Sequence, residues 1–355
     1  MIRDNGAHSK IRRDKMAKIS KRNNITIGNR VVGYHKPCFI IAEAGSNHNG
    51  DLKMAKKLIS TAAEMGADAI KFQLFTADGL SSDRKVQQIL KKYEFKREWL
   101  FSLKKYADSK RIMFLATPFD EEAVDLLGNV GVAAFKVASG DLNYLELLKF
   151  VAKKKKPIFL SVGMAADTEI NEAIDTIRSE GNNEIILLHC ISDYPASPEY
   201  VNLLRIEKLR NKFSLPVGFS DHTLGIHISL SSVCFGAVVI EKHFTLNRKL
   251  HGLDHSFAIE PPELQAMVKF VREIEVAKGD GIRRLLKCEE KGLFLGRRSI
   301  FARRDIIKNS FISEDDLKVV RPCIGISPKF YSQVVGKKSR QTIKSGEPIT
   351  WGKIG

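Results

Sequence analysis

The chain has 355 residues, 43% of them hydrophobic, and a formal net charge of +17. This size and composition suit a globular protein with one large core and a small second domain. Residues 1–30 hold nine Lys and Arg against two Asp, and we predict a disordered basic tail over 1–22. No basic stripe is interleaved with aromatic residues, which disfavours a nucleic-acid partner. An anionic small substrate and ordinary solvated lysines remain as explanations of the charge.

The cysteines and the hydropathy pattern indicate a cytoplasmic protein that has no membrane segment. The five cysteines form no CxxC pair and are odd in number, which is typical of a reduced intracellular chain. No apolar segment of a secretory signal follows the basic N-terminus. The longest apolar stretch, residues 226–240, contains a histidine and three serines and is too short and too polar to span a bilayer.

Strand and helix patterns alternate along most of the chain. Residues 24–35 alternate in polarity around Gly28 and Asn29, which predicts a β-hairpin. Eight apolar runs follow, and each ends in polar or charged residues: CFIIAEAG, AIKFQLF, IMFLATP, AFKVASG, PIFLSVG, IILLHC, PVGFSDH and VVIEKHF. The first helical pattern between them begins at Asp51, an acidic N-cap, and stops at Gly66. The other helical patterns cover 98–109, 121–127, 144–152, 169–178, 201–208, 226–233 and 262–277.

Eight strand–helix units in succession predict an α/β fold, a closed (β/α)8 TIM barrel rather than an open doubly wound sheet. Active sites of such barrels form at the C-terminal ends of the strands, which accounts for the polar residues there. After Lys278 the long helical periods end, and short strands separated by turns take their place. We therefore predict a barrel domain over 23–280, a linker over 281–296 and a small, mostly β domain over 297–355.

Two histidines end the last two strands of the predicted barrel, His222 in SDHTLG and His243 in EKHFT. Neighbouring strands bring their ends together, so both imidazoles are able to share one divalent metal with open positions for water and substrate. Asp221 and Glu241 are candidates for extra ligands or for residues that support the ligands. The alternative is two unrelated histidines at the barrel rim, and spacing alone does not decide between the two interpretations.

Two lysines, Lys71 in AIKFQ and Lys136 in AFKVASG, lie within apolar runs near the ends of strands two and four. We expect their side chains in the barrel mouth, where a group of hydroxyls (Thr117, Ser139 and Ser161) completes a pocket for phosphate and carboxylate oxygens. A Schiff-base lysine is a competing chemical role. Pairing of each lysine with a barrel carboxylate is the structural alternative, which we disfavour for two lysines at equivalent positions.

Carboxylates accompany these lysines and histidines. Glu43 ends the first strand in a nearly apolar context, where a raised pKa suits acid–base work on a sugar or water. Its alternative role is that of a partner for a barrel lysine. Asp254 and His255 follow the last strand in HGLDHS and are candidates for contacts with substrate hydroxyls.

A set of ordered motifs resembles the sialic acid synthase family: IAEAGSNHNGD, IKFQ, FKVASGD, HC-x3-YPA, FSDHTLG, EKHFT and GLDHS. The segment RRSIFARRDI-x10-LKVVRP-x2-GISP is similar to the C-terminal SAF, or antifreeze-like, domain of that family. The resemblance covers residues 24–355, although Cys323 stands where the family usually has glycine. It implies a transferase that condenses phosphoenolpyruvate with an N-acetylated amino sugar and water.

The resemblance also implies roles for individual residues and an assembly. His222 and His243 correspond to the metal ligands, for Mn²⁺ first and Mg²⁺ or Co²⁺ as alternatives. The implied assembly is a domain-swapped homodimer, in which Arg321 of one SAF domain enters the partner's active site. The implied catalytic residues are Glu43, Lys71, Lys136 and Arg321, and the implied substrate-binding residues are Gln73, Thr117, Ser139, Ser161, Ser192, Tyr194, Ser220 and Asp254.

Several functions remain open at this point. N-acetylmannosamine, giving a nine-carbon sialic-type 2-keto acid and phosphate, is the first expectation for the sugar. Alternatives within the family are a legionaminic acid synthase using 2,4-diacetamido-2,4,6-trideoxymannose and a spore-coat or surface-polysaccharide synthase, whereas Phe72 after Lys71 disfavours a pseudaminic-type enzyme. A Schiff-base aldolase using Lys136, or a glycan- or nucleic-acid-binding protein on an inactive barrel, would belong to other classes. The set of Glu43, Lys71, Lys136, His222 and His243 argues against a binding protein, because binding alone does not require all five of these residues.

Overall fold

The computed structural model describes residues 24–355, so the tail predicted over 1–22 lies outside the described residues. The chain forms two compact units, with the division between Gly279 and Asp280. The first unit begins with strands β1 (Ile25–Ile27) and β2 (Arg30–Val32), which pair antiparallel. The hairpin prediction is therefore confirmed, with Gly28 at positive φ in the turn.

Eight parallel strands form the centre of the first unit, and their order along the sheet is β5-β4-β3-β10-β9-β8-β7-β6. The two end strands, β5 and β6, lie as close together as β6 and β7 do, which closes the ring. The predicted (β/α)8 barrel is confirmed. The strands are β3 (Phe39–Gly45), β4 (Ala69–Leu74), β5 (Met113–Pro118), β6 (Phe135–Val137), β7 (Ile158–Ser161), β8 (Ile185–Cys190), β9 (Val217–Asp221) and β10 (Val239–His243).

Helices surround the barrel, and their ends follow the predicted signals. Asp51 accepts a hydrogen bond from the Lys53 N–H at the start of the first helix, and Gly66 follows its C-cap at positive φ. Short helices at 77–90 were not predicted. The helices of the first unit are α1 (Leu52–Glu64), α2 (Ala77–Leu80), α3 (Arg84–Leu90), α4 (Leu100–Ser109), α5 (Glu121–Asn129), α6 (Leu145–Lys153), α7 (Asp167–Ser179), α8 (Pro198–Val201), α9 (Leu204–Phe213), α10 (His227–Cys234) and α11 (Pro261–Lys278), with 3-10 turns at Lys91–Tyr93, Arg97–Trp99 and Ser139–Asp141.

Side chains alternate between the inside of the barrel and the helix layer, as the two-residue period of a strand requires. Outward-facing residues of the strands join one large core with the helices. Inward-facing residues at the N-terminal ends of the strands form a second core with the hairpin, which is completely apolar: Ile25, Ile27, Val32, Phe39, Ile41, Ala69, Leu115, Ala134, Phe159, Ile186, Leu188, Val238 and Val239. The hairpin thus fills one end of the barrel, and the opposite end remains for a site.

The second unit, residues 280–355, has its own small core. Strands β11 (Ser299–Ala302) and β12 (Leu317–Val320) pair antiparallel, and Ile300, Leu317 and Ile349 are among the buried residues. Part of the segment predicted as a linker forms α12. The remaining elements of this unit are α12 (Glu290–Gly296), α13 (Tyr331–Val334) and 3-10 turns at Lys287–Glu289, Glu314–Asp316, Pro328–Phe330 and Trp351–Lys353.

All five cysteines lie within the described residues and are free. Between residues 24 and 355, the structure contains no helix with the length and hydrophobicity needed to cross a membrane.

Candidate active site

A cavity of about 310 Å³ opens among the C-terminal ends of the barrel strands. All eight strands or the residues directly after them contribute to its wall. The lining residues are Glu43, Lys71, Gln73, Thr117, Phe119, Lys136, Ala138, Ser139, Gly140, Ser161, Met164, Cys190, Ser192, Tyr194, Ser220, His222, Glu241 and His243. The candidate site residues from the sequence are all in this set except Asp221, Asp254, His255 and Arg321.

Four buried charges alternate in sign across the cavity. Lys71 Nζ lies 2.9 Å from Glu43 Oε2 and 3.6 Å from Glu241 Oε2. Lys136 Nζ lies 3.4 Å from Glu241 Oε1. The pairing of both lysines with barrel carboxylates, which the sequence argument disfavoured, is therefore present. The same contacts leave the ammonium groups at the cavity wall, as the anion-pocket prediction requires.

The pKa values of these groups differ because their surroundings differ. Burial raises the pKa of Glu43, and the charge of Lys71 only partly opposes this effect. Burial acts in the same direction on Glu241, but the charges of Lys136 and Lys71 outweigh it and lower that pKa. Burial lowers the pKa of Lys136 despite Glu241. Glu43 is thus the carboxyl of the pair that is better suited to exchange a proton near neutral pH.

Neutral polar groups extend this cluster. Lys71 Nζ donates to Thr117 Oγ1 at 3.1 Å, and Gln73 Nε2 donates to Glu43 Oε1 at 3.0 Å. Ser220 Oγ donates to Glu241 Oε1 at 2.9 Å. Glu43 Oε2 and Glu241 Oε2 have no hydrogen-bond partner beyond their ion pairs, so both keep acceptor capacity toward the cavity.

Hydroxyl and thiol groups line the neighbouring side of the cavity. The Gly163 N–H donates to Ser139 Oγ at 3.0 Å, and Ser139 Oγ lies 3.0 Å from Cys190 Sγ. A Cβ atom on Gly163 would lie only 2.7 Å from Ser192 Oγ and 2.8 Å from Cys190 Sγ. Glycine is required there because the backbone approaches the side chains so closely. These groups offer several donors for an anion next to Lys136.

The two histidines face each other, with ring centroids 5.5 Å apart. His222 Nδ1 lies 2.6 Å from the Ile191 carbonyl oxygen, which makes Nδ1 the donor and leaves Nε2, 3.4 Å from Ser220 Oγ, as the nitrogen that carries a lone pair. His243 Nδ1 is buried and has no hydrogen-bond partner. Burial lowers the pKa of both imidazoles, so both are neutral near pH 7.

Two neutral imidazoles suit a divalent metal with most of its coordination positions open. Within the described chain, no group of three or more His, Cys, Asp and Glu side chains is arranged to hold a metal ion. The structure therefore offers two nitrogen ligands, and the other positions would be filled by water or substrate.

Aromatic and acidic residues surround the histidines. The ring of Tyr194 lies 4.2 Å from that of His222, centroid to centroid, and Phe257 lies 5.0 Å from His243. Asp254 Oδ2 is 3.7 Å from His243 Nδ1. The Asp254 side chain reaches this position because Gly45, at positive φ, has no Cβ, which would otherwise lie 2.8 Å from Oδ2. Asp254 therefore lies next to the cavity, although it does not line it.

Other expected residues lie elsewhere. Asp221 faces the helix layer and pairs with Lys242, so it is not a metal ligand beside His222. His255 is buried and contacts Thr245 Oγ1 at 2.6 Å, so its expected contact with substrate hydroxyls is wrong. Next to Asp221, the inward-facing His222 occupies the cavity wall instead. Arg321 belongs to the second unit, where it follows β12 and is exposed.

Cys190 is one of the lining residues that sequence reasoning missed. In the run IILLHC the histidine, His189, attracts attention, but its Nε2 contacts the Val201 carbonyl oxygen at 2.6 Å on the helix side. Strand alternation from Ile186 and Leu188, which face inward, places Cys190 inward and His189 outward. The period of the strand was the signal that would have found it.

Comparisons with known proteins place these features in a family. Residues 58–283 match the NeuB family, and residues 297–355 match the SAF domain. The chain is 43% identical to the N,N'-diacetyllegionaminic acid synthase of Campylobacter jejuni, over 88% of this chain and 99% of that protein. It is 40% identical to the Legionella pneumophila enzyme of the same name, over 91% and 96%.

A solved structure shares the fold. The crystal structure of N-acetylneuraminic acid synthetase from Leptospira borgpetersenii, in complex with citrate, has a TM-score of 0.73 and 38% sequence identity. The match covers 76% of this chain and 95% of that one.

Proposed function

The chain belongs to the NeuB family, the sialic acid synthases, and we propose that it condenses phosphoenolpyruvate with an N-acetylated amino sugar and water. The products are a nine-carbon 2-keto acid and phosphate. The observation that supports this proposal most strongly is the pair of buried lysines, Lys71 and Lys136, beside the hydroxyl-lined wall of the cavity.

Phosphoenolpyruvate carries a phosphate and a carboxylate, and the cavity offers charge and donors for both. Lys136 lies on the side of Ser139, Ser161 and Ser192, where hydroxyl groups accompany one ammonium group. Lys71 and Thr117 form a second donor pair, 3.1 Å apart. Charge-assisted hydrogen bonds of this kind are stronger than neutral ones. The lysines thus hold the charge that moves to the leaving phosphate as the C–O bond breaks.

His222 and His243 are the residues that would hold a divalent metal, with Mn²⁺ as the first candidate. Their neutral state fits this role, as do the lone pair on His222 Nε2, which is 3.4 Å from Ser220 Oγ, and the unpartnered His243 Nδ1. A bound metal would supply Lewis-acid polarisation of the sugar aldehyde. C3 of phosphoenolpyruvate attacks the aldehyde carbon.

Glu43 is the proposed acid–base residue. Its raised pKa favours proton exchange near neutral pH, and its Oε2 atom has no partner other than the Lys71 ammonium group. Positive character develops at C2 after the C–C bond forms, and water adds there. Glu43 accepts or donates the proton in these steps, while Gln73 fixes the orientation of its carboxyl group at 3.0 Å.

The proposal also concerns which amino sugar is the substrate. The expectation from the motifs was N-acetylmannosamine, and two relatives that are 43% and 40% identical carry the name N,N'-diacetyllegionaminic acid synthase. The name favours a 2,4-diacetamido-trideoxy sugar as a second candidate. Tyr194, Asp254 and Phe257, which lie around His222 and His243, are the proposed sugar contacts.

The proposal extends to the assembly and the compartment. Arg321 would enter the site of a partner subunit in a domain-swapped homodimer, since the family resemblance assigns it that role. Five free cysteines are consistent with cytoplasmic location.

The test is phosphate release from phosphoenolpyruvate by the purified, metal-stripped protein, with and without Mn²⁺. N-acetylmannosamine, its 6-phosphate and the 2,4-diacetamido sugar are supplied in parallel. We expect Mn²⁺-dependent release with one of them, and mass spectrometry of the keto acid identifies the product. A folded protein that releases no phosphate with any of these sugars would contradict the proposal for this substrate class.

A further inference from the structure

A buried ion pair lies directly behind the two histidines of the cavity. Asp221 is the last residue of β9 and directly precedes His222, and Lys242 precedes His243 on β10. Asp221 and Lys242 are register partners of the two neighbouring strands. Because side chains alternate, the histidines face the cavity while Asp221 and Lys242 face the helix layer.

The pair is completely enclosed and fully bonded. Lys242 Nζ lies 3.0 Å from Asp221 Oδ2, and the two side chains are 1% and 0% exposed. Lys242 also donates to the Thr223 carbonyl oxygen. Asp221 Oδ1 accepts from both the N–H and the hydroxyl of Thr223, each at 2.8 Å, and Oδ2 accepts from the Ser229 hydroxyl. The pair therefore holds the backbone on both sides of His222.

Stability alone gives no reason for charges at these positions. The outward-facing residues near the ends of β3, β4 and β5 are Ala42, Phe72 and Ala116, which are apolar and pack in the main core. His189 on β8 also faces outward, but it is a single histidine that contacts a backbone carbonyl and not half of an ion pair. A buried ion pair adds little stability relative to apolar residues of the same volume, because both charges lose their hydration. A pair of this kind instead specifies one geometry, since its hydrogen bonds are directional.

We propose that Asp221 and Lys242 are positioning residues that fix the separation of the His222 and His243 imidazoles and thereby raise the affinity for the divalent metal. This inference rests on the proposed function, because it assumes that the histidines bind the metal. The bond from His222 Nδ1 to the Ile191 carbonyl orients the ring. The ion pair fixes the two strand ends that carry the rings. Together they present the nitrogen atoms in one arrangement before the metal binds.

The test measures Mn²⁺ binding to the metal-stripped full-length protein without phosphoenolpyruvate or sugar, by the EPR signal of free Mn²⁺. In Lys242→Met we expect about 10- to 100-fold weaker binding, the usual effect of losing a residue that supports a metal ligand. The matched control is Arg272→Met. It breaks a pair with Asp68 (3.3 Å) at the N-terminal ends of the strands, and it should lower Tm without changing the Mn²⁺ dissociation constant.

A double variant separates positioning from stability. Asp221→Asn combined with Lys242→Met leaves no unpaired buried charge, so Tm should recover toward the wild-type value. Mn²⁺ binding should remain weak, because the directional contact between the strands is lost. If Lys242→Met does not fold, Ser229→Ala removes a single hydrogen bond to Asp221 and should weaken Mn²⁺ binding in the same direction, to a smaller extent.

Unchanged Mn²⁺ affinity in folded Lys242→Met, or an equal loss in Arg272→Met, would overturn the inference. Recovery of Mn²⁺ affinity together with Tm in the double variant would do the same. The wild-type affinity and its loss in His243→Ala test the metal site itself. The positioning role and the proposed metal site can therefore fail separately.

Discussion

The two halves of the barrel interior are built on the same strands and differ completely in chemistry. The half near the N-terminal ends contains only apolar side chains, among them Phe39 and Phe159, whose rings stack at 6.0 Å. Two to four residues further along, the inward positions carry Glu43, Lys71 and Glu241. One half can be stable because it is uniform and closed by the hairpin, and this allows the other half to keep four buried charges.

This comparison separates stability from activity in space. The apolar half should determine the free energy of unfolding and leave the chemistry unchanged. The charged half should determine the chemistry and add little to the free energy of unfolding. The attraction within a buried ion pair is largely offset by the free energy lost when both charges leave water. Substitutions in each half, and on the outside of the barrel, test this separation.

The largest effect on stability is expected in the apolar half. Phe159→Ala should lower the free energy of unfolding by about 3–5 kcal/mol, since it removes a fully buried ring and leaves a cavity. Urea unfolding measures this loss. The activity per folded molecule should stay near the wild-type value, because Phe159 does not line the site. Phe101→Ala is the control, since Phe101 is 69% exposed, and a similar loss there would contradict the assignment.

The corresponding change in the charged half is Lys136→Met. It should raise the transition-state barrier by about 2–4 kcal/mol, or roughly 30- to 1000-fold in kcat/KM, because one ammonium group no longer faces the phosphate. The free energy of unfolding should also fall, because Glu241 loses one partner, but by less than in Phe159→Ala, since Lys71 and Ser220 still contact Glu241. Steady-state phosphate release measures the effect, with Lys153→Met on the outside of the barrel as the control. An unimpaired Lys136→Met enzyme would remove Lys136 from the site.

A buried histidine outside the barrel should make the free energy of unfolding depend on pH. His48 lies among Phe72, Phe95 and Trp99, and burial lowers its pKa from 6.5 to about 4. Between these two values the unfolded chain binds a proton that the folded chain does not, so stability is lost as the pH falls through this range. The contribution is up to about 3 kcal/mol.

His48→Gln should therefore flatten the dependence of the free energy of unfolding between pH 6.5 and 4. Chemical denaturation at several pH values measures the difference between the variant and the wild type. His227→Gln, at an exposed position, is the control and should leave the slope unchanged. Equal slopes for wild type and His48→Gln would show that His48 does not titrate as expected.

The smallest effect is expected at a surface ion pair. Lys104 and Asp108 are one helical turn apart on α4, with Nζ and Oδ2 at 2.7 Å. Lys104→Ala should cost about 0.3–0.5 kcal/mol, because solvent screens exposed charges. The cost should vanish in 1 M salt. A loss as large as that of Phe159→Ala would contradict the view that stability resides in the apolar half.

The sequence predicts the barrel because strand and helix periods alternate without interruption, and the polar ends of the strands predict where the site lies. The same argument errs where a polar residue is assigned to the cavity by its type alone. His189 and Asp221 face the helices because the two-residue period puts them there. Residue type does not reveal direction, whereas the period of the strand does.

The sequence also did not predict which side chains on different strands contact one another. Glu241 contacts both Lys71 and Lys136, and these residues are far apart in the chain. Their contact depends on how the strands are staggered around the barrel. The outer pair of Asp221 and Lys242 depends on register in the same way. Predicting either set of contacts requires the register between neighbouring strands, which the sequence pattern alone does not provide.

The most direct test of the central claim follows the bridging oxygen of phosphoenolpyruvate. With ¹⁸O between C2 and phosphorus, the purified protein, Mn²⁺ and the active amino sugar, the account predicts that the label leaves in the phosphate. The C2 oxygen of the keto acid should then come from water. Phosphate without the label would mean that the P–O bond breaks. In that case Lys71 and Lys136 would not be stabilising the departure of phosphate from carbon, and the account would be wrong.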